Sequence, residues 1–296
     1  MLCNQCPRKC NTDRQNGSYG FCGTPNTFLI ARIAPHLWEE PSISGKNGSG
    51  TVFFSGCNLH CVFCQNRTIS HTAQGKSYTA EELTAAILHL RESGVHNINL
   101  VTPSHYTLQL IPVLKKIKPR LGIPVVWNSS GYESTETLRL LEGLVDIYLP
   151  DFKYCSAKLS AEYSAAPDYY PIALAALREM LRQTGTPMTD PATGLLRRGT
   201  VVRHLVLPGC RKDSIKLLHT LAKEFGTNAF LLSLMCQYTP EFAADCPHKN
   251  LHRRLTSFEY QSVLDEATSL GFHGYTQDAS SATSAFTPDF SNGNSH

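Results

Sequence analysis

Beyond residue 50 the chain alternates short apolar runs with longer segments in which apolar residues recur every three or four positions. Short runs rich in β-branched and aromatic residues read as buried strands, and the longer spacing reads as one face of a helix. TVFFSG (51–56), HNINLVT (96–102), IPVVWN (123–128), VDIYLP (145–150), TVVRHLVLP (200–208) and AFLLSLM (229–235) are the expected strands. The expected helices are AEELTAAILHLRESG (80–94), YTLQLIPVLKKIK (106–118), STETLRLLEG (134–143), a stretch around 171–183, DSIKLLHTLAKEFG (213–226) and SFEYQSVLDEATSLG (257–271). Strands alternating with helices predict a parallel sheet with right-handed crossovers. Six strands fit a partial (β/α)6 barrel better than a complete eight-stranded one, with functional loops at the strand C-terminal ends.

Three segments break the rhythm. MTDPATGLLRRG (188–199) reads as a turn or hairpin insertion, and SSATSAFTPDFSNGNSH (280–296) as an irregular tail. Residues 1–50, rich in Cys, Gly and Asn, read as a loop-rich lobe organised by metal. The expected division is therefore a Cys-rich metal-binding lobe at 1–50, a barrel at 51–275 and a C-terminal tail at 276–296.

Composition narrows the partners. With 42% hydrophobic and 17% charged residues the chain can bury a large core. A net charge of +3, with scattered Lys and Arg, indicates neither a nucleic-acid nor a membrane-surface partner. No run approaches the roughly 20 apolar residues needed to span a bilayer. The opening MLCNQCPRKC carries no apolar export signal, which predicts a cytoplasmic protein. Seven of the 11 cysteines fall within the first 64 residues. In a reducing compartment such close spacing reads as thiolate ligands for metal rather than as disulfides.

The sharpest signal is SGCNLHCVFCQN, where Cys57, Cys61 and Cys64 follow the first expected strand with three and then two residues between them. Three thiolates in one loop can ligate three irons of a 4Fe-4S cluster, leaving the fourth iron for chelation by the amino and carboxylate groups of S-adenosylmethionine (SAM). Ferredoxin and structural zinc sites supply four protein ligands, so three favour an open catalytic iron over a zinc knuckle. Upstream, Cys3, Cys6, Cys10 and Cys22 make a complete four-thiolate set, suited to a second iron–sulfur cluster or to zinc.

The CxxxCxxC arrangement, with Phe63 just before its last cysteine, resembles the radical SAM superfamily signature. Asp151 and Lys153 in VDIYLPDFKY, and Arg203 ahead of Pro208, Gly209 and Asp213 in VVRHLVLPGCRKD, look like motifs of the glycyl-radical-enzyme activases, the family of the pyruvate formate-lyase activating enzyme. That resemblance implies that Asp151, Lys153 and Arg203 line the SAM site. WNSSGY is similar to the stretch after the third strand of those activases, which would place Asn128 near the SAM ribose or methionine; on residue type alone it reads equally well as a helix cap. Where the superfamily usually carries Gly-Gly-Glu, this chain has Thr102, Pro103, Ser104 and His105. Thr102 or Ser104 is then the candidate receiver of the SAM amino group.

With LVTPSHY, RHLVLPG and LMCQYTP, the cysteine-rich opening extends the likeness over nearly the whole chain, to pyruvate formate-lyase activating enzyme-like iron–sulfur proteins. The resemblance implies a flavodoxin or ferredoxin reductant, cleavage of SAM to methionine and a 5′-deoxyadenosyl radical, and hydrogen abstraction that activates a glycyl radical enzyme partner. Modification of a small molecule or peptide is the alternative enzyme, and an iron–sulfur electron carrier or a zinc-stabilised binding protein the non-enzymatic ones. Cys155, Cys210, Cys236 and Cys246 are irregularly spaced and read as small buried hydrophobes. His105 and His204 lie at or near strand ends, with structural roles favoured.

Overall fold

The computed structural model describes residues 2–278 together with Pro288 and Phe290. Ten strands are present: β1 (Phe28–His36), β2 (Ser49–Phe54), β3 (Lys76–Tyr78), β4 (Ile98–Val101), β5 (Val125–Ser129), β6 (Ile147–Pro150), β7 (Met188–Thr189), β8 (Leu196–Leu205), β9 (Leu231–Met235) and β10 (Gly274–Thr276). The α-helices are α1 (Pro41–Ser44), α2 (Arg67–Ser70), α3 (Ala80–Glu92), α4 (Thr107–Leu121), α5 (Thr135–Arg139), α6 (Ala157–Ser164), α7 (Tyr169–Thr184), α8 (Arg211–Phe225) and α9 (Ser257–Ser269).

The sheet runs β10-β9-β8-β6-β5-β4-β2-β1-β3, with β7 paired to β8. From β2 to β10 every neighbour along that path is parallel, whereas β1 joins β2 and β3 antiparallel. The two ends do not pair, so this is an open, partial (β/α)6 barrel. All six expected strands and six expected helices are present. The insertion at 188–199 is the β7–β8 hairpin. The extensions β1, β3 and β10 and the short α6 were not expected, and β1 brings residues 28–36 of the N-terminal fifty into the sheet. Most of the expected tail at 276–296 lies outside the described residues. Among the described residues no helix is long and apolar enough to cross a membrane.

Local signals start the helices where the sequence permits. Thr79 and Thr256 form capping boxes with Glu82 and Glu259, each satisfying backbone N–H groups that the first turn leaves bare. The period-two alternation of the strands then sorts the core. Ile98, Leu100, Val125, Trp127 and Tyr148 face outward under α3, α4 and α7, and Val202, Leu232 and Leu234 face outward under α7, α8 and α9. Inward-facing Val126, Ile147, Leu149 and Val201 pack with Ile43 of α1, so the chain between β1 and β2 fills the N-terminal end of the barrel interior. Each such fully buried side chain contributes roughly 1.5–3 kcal/mol. The next inward positions along β4, β5, β8 and β9 are polar: Asn99, Asn128, Arg203 and Ser233. Register sets Arg203 between Asp151 and Ser233.

Candidate active site

Above the apolar plug a cavity of about 320 Å³ opens at the strand C-terminal ends. Cys61, Phe63 and Cys64 line it together with Asn128, Asp151, Lys153 and Arg203, whereas Cys57 is not among the lining residues. Lys153 Nζ donates to Asp151 Oδ2 at 2.7 Å, and Arg203 Nε donates to Asp151 Oδ1 at 3.0 Å. The same guanidinium donates to Asn128 Oδ1 at 2.6 Å and to Glu39 Oε2 at 3.3 Å. Asn99 and Asn128 donate their amide N–H groups to Glu39 Oε1 at 2.9 and 3.2 Å. These four charged side chains are at most 18% exposed, so their interactions are weakly screened. Burial disfavours the Asp151 carboxylate, but Lys153 and Arg203 outweigh it and hold its pKa below the ordinary value. Burial likewise opposes the Lys153 charge, and Asp151 overrides it to raise that pKa. Glu39 and Glu40 are pushed up, chiefly by burial.

The cysteine loop is held by bonds to distant elements. Asn58 donates its amide to the Tyr132 carbonyl at 2.7 Å, and Val62 N–H donates to the Tyr163 carbonyl at 2.9 Å. Its sulfurs have polar neighbours: Leu59 N–H donates to Cys57 Sγ at 3.3 Å, the Ser164 hydroxyl to Cys61 Sγ at 3.0 Å, and Ser70 Oγ lies 3.3 Å from Cys64 Sγ. Upstream, Phe21 N–H donates to Cys10 Sγ at 3.3 Å and Cys22 Sγ lies 3.3 Å from Thr24 Oγ1. Gly56 joins the two sets: its φ of +79° suits glycine, and a Cβ there would stand 2.5 Å from the Cys22 carbonyl oxygen.

Other expected residues lie elsewhere. Thr102 and Ser104 are not among the cavity lining; Thr102 holds a φ of 59°, uncommon for a β-branched residue, and Ser104 donates its hydroxyl to Glu133 Oε1. His204 faces outward, its Nδ1 2.8 Å from the Phe152 carbonyl oxygen and its Nε2 2.9 Å from Ser214 Oγ, which is a structural arrangement. His105 is buried, with Nε2 2.8 Å from the Ser55 carbonyl oxygen. Cys155, Cys210 and Cys236 are buried, and Cys246 is half-buried. Glu39 and Glu40 had no sequence signal, because HLWEEPS matches no motif and their partners lie on remote strands.

A 4Fe-4S single cluster domain family matches residues 43–157. An uncharacterized protein of Methanocaldococcus jannaschii is 30% identical over 274 residues, spanning 90% of this chain and 74% of that protein. A pyruvate formate-lyase-activating enzyme of Clostridium pasteurianum is 32% identical over 133 residues, 43% of this chain and 54% of that enzyme. Among solved structures, Streptococcus suis SuiB bound to its precursor peptide SuiA matches 75% of this chain and 46% of its own, at TM-score 0.53 and 11% identity. A radical SAM methyltransferase of Sphaerobacter thermophilus matches 77% of this chain and 65% of its own, at TM-score 0.50 and 17% identity. The chain belongs to one family with the Methanocaldococcus protein, and it shares the fold of the radical SAM methyltransferase. It spans less than two thirds of either solved structure.

The 4Fe-4S family match makes such a cluster the group to fit to these residues, with SAM the ligand that the cysteine motif implies. Among the described residues no three His, Cys, Asp or Glu side chains converge tightly enough for a single metal ion, so the fit rests on donor chemistry. Burial and the neighbouring sulfurs push the Cys57 thiol up, and burial also raises Cys64. Uncompensated thiolates would be costly in this loop, and bound iron reverses that local charge logic. Soft sulfur donors with N–H and O–H groups directed at them suit an iron–sulfur cluster. The cavity offers SAM the Lys153 ammonium and the Arg203 guanidinium, which suit its carboxylate. In the N-terminal set burial pushes Cys6 up to about 12, a cost that a bound metal would likewise remove.

Proposed function

We propose that Cys57, Cys61 and Cys64 ligate the cluster, that Phe63, Asn128, Asp151, Lys153 and Arg203 form the SAM site, and that the reaction is hydrogen abstraction from a glycine of a partner protein. The observation that carries this reading is that Cys61 and Cys64 of the cysteine loop line the same cavity as the Asp151–Lys153–Arg203 network. A cluster held by Cys57, Cys61 and Cys64 and reduced by a flavodoxin or ferredoxin would supply one-electron reductive cleavage of SAM to methionine, with the substrate hydrogen ending in 5′-deoxyadenosine. The chain's own contribution is positional. Asp151 keeps Lys153 and Arg203 charged and aimed, and the barrel wall excludes water from a reactive centre. Residues 1–50 act as a metal-binding lobe on a barrel at 51–275, with Cys3, Cys6, Cys10 and Cys22 holding a second iron–sulfur cluster or zinc.

A glycine Cα hydrogen must reach the radical carbon, so the partner segment has to enter the mouth extended. The sequence match to the Clostridium activating enzyme supports a glycyl radical enzyme as that partner. Reconstituted protein, SAM and dithionite should yield 5′-deoxyadenosine under anaerobic conditions. Candidate glycyl radical enzymes incubated in the same mixture should then develop a glycyl doublet by electron paramagnetic resonance. Ready 5′-deoxyadenosine formation with a metabolite or peptide, and no doublet from any candidate, would replace the activase reading with small-molecule or peptide modification.

A further inference from the structure

The floor of the cavity holds a carboxyl oxygen whose hydrogen-bonding capacity the assigned SAM residues do not fill. Glu40 lines the cavity at 9% exposure, and its Oε2 is buried with no hydrogen-bond partner. Arg203 reaches Glu40 electrostatically, but its hydrogen bonds go to Asp151, Asn128 and Glu39. Burial raises the Glu40 pKa, so an unaccompanied carboxylate there is costly, and a cation entering beside it removes the cost.

Position separates this carboxylate from the cluster side. Lys153 lies within electrostatic reach of Cys61, whereas Glu40 is hydrogen-bonded to Ser233 and adjoins Tyr275. The order across the cavity is therefore cysteines, Lys153, Asp151, Arg203 and then the acidic pair. Glu39 is saturated by Asn99, Asn128 and Arg203, so it fixes the floor, and Glu40 carries the free valence.

We propose that Glu40, supported by Glu39 and Ser233, recognises a positively charged group of the substrate, an alkylammonium or guanidinium, on the side of the cavity away from the cysteine loop. This rests on the reading of the cavity as the radical site, and it adds the substrate's chemical class. The cation can be carried by a free amine or by a Lys or Arg side chain of a peptide; both present the same charge to Glu40.

The test uses reconstituted protein with its cluster oxidised and saturated with SAM, so that binding is read without turnover. Calorimetric titration compares n-butylammonium and agmatine with N-acetyl-lysine amide and N-acetyl-arginine amide, and with uncharged 1-butanol. At least one cation should bind ten times more tightly than 1-butanol, and the free and peptide-borne probes show which source the site prefers. Glu40→Gln should weaken that cation at least tenfold while SAM affinity moves less than twofold. Removing an unpaired buried charge should not lower the melting temperature, which checks that the variant folds. Equal binding of cations and 1-butanol, an unchanged cation affinity in Glu40→Gln, or a loss of SAM affinity in its place would each overturn the proposal. 5′-Deoxyadenosine formation by the wild-type protein is scored separately, so cation binding without SAM cleavage would sink the radical reading and leave the cation site standing.

Discussion

The two cysteine sets are placed by different physics. The 57–64 loop is clamped by its own apolar side chains: Leu59, Cys61 and Phe63 are buried in a core shared with α7, α8 and α9. The N-terminal segment has little core of its own. An isolated bridge pairs Cys3 with Thr12, Lys9 and Asn11 turn with φ of 43° and 52°, and the segment is held to the barrel largely by long polar side chains. Buried Arg14 donates to the carbonyls of His105, Thr24 and Pro25, Gln5 donates to His105 and accepts from Leu108 N–H, and Arg8 reaches the carbonyls of Asn58 and Ala165. A loop set by packing would keep its donor geometry without a bound metal, whereas a segment held largely by polar side chains would gain more order from one.

The largest effects should divide the two sets. Replacing Cys57, Cys61 and Cys64 together by alanine should abolish 5′-deoxyadenosine production in a protein that still melts cooperatively. Replacing Cys3, Cys6, Cys10 and Cys22 should instead leave the barrel folded and expose the N-terminal segment to limited proteolysis. Metal analysis sharpens the contrast: about eight irons per chain means two clusters, and about four irons plus one zinc means a structural site. If the N-terminal variant alone lost 5′-deoxyadenosine and the loop variant did not, the comparison would be inverted.

Next in size is Arg203→Ala. A strand-end position by itself predicts weaker SAM binding with little loss of stability. The buried network predicts both, because Asp151 and Glu39 lose a shared cation, at a cost of roughly 3–5 kcal/mol. Arg203→Lys keeps the charge without the fork of donors and should recover part of the stability but less of the SAM affinity. Equilibrium dialysis and thermal melts read the two losses separately, and an unchanged SAM affinity in Arg203→Ala would remove that residue from the cofactor site.

The smallest effect concerns Glu133, which accepts from Ser104 and Trp127 beside the Tyr132 carbonyl that anchors the cluster loop. Burial raises its pKa to about 6. A carboxyl raised on folding favours the folded state fully below the unfolded pKa near 4.5, and that contribution is lost as pH rises through about 6. Glu133→Gln should therefore stabilise the protein by about 2 kcal/mol at pH 8 and hardly at all at pH 4, read as melting temperature across pH. Equal gains at both pH values would show that the carboxyl is not the cause.

Strand and helix types in the barrel were legible because each element carries its own period, as in the alternation of Ile98, Asn99, Leu100 and Val101. The edge elements were not. β1 mixes apolar and polar positions without a clean alternation, β10 is three residues long, and both become strands through the neighbours they pair with. The expectation that Thr102 or Ser104 receives the SAM amino group rested on their standing where the superfamily usually carries Gly-Gly-Glu, and only the packed structure shows the Ser104 hydroxyl donating to Glu133.

The cluster loop is the clearest case of local determination: its three thiols lie within eight residues, so spacing alone puts them on one loop after one strand. The charge pattern of the cavity is the opposite case. Glu39 and Arg203 stand 164 residues apart and meet only because the chain between β1 and β2 enters the barrel and register brings Arg203 to the same level. Donor sets confined to a short loop are set by covalent connection. Whether a buried charge ends up paired is decided by which strands lie side by side, and that only the tertiary structure settles.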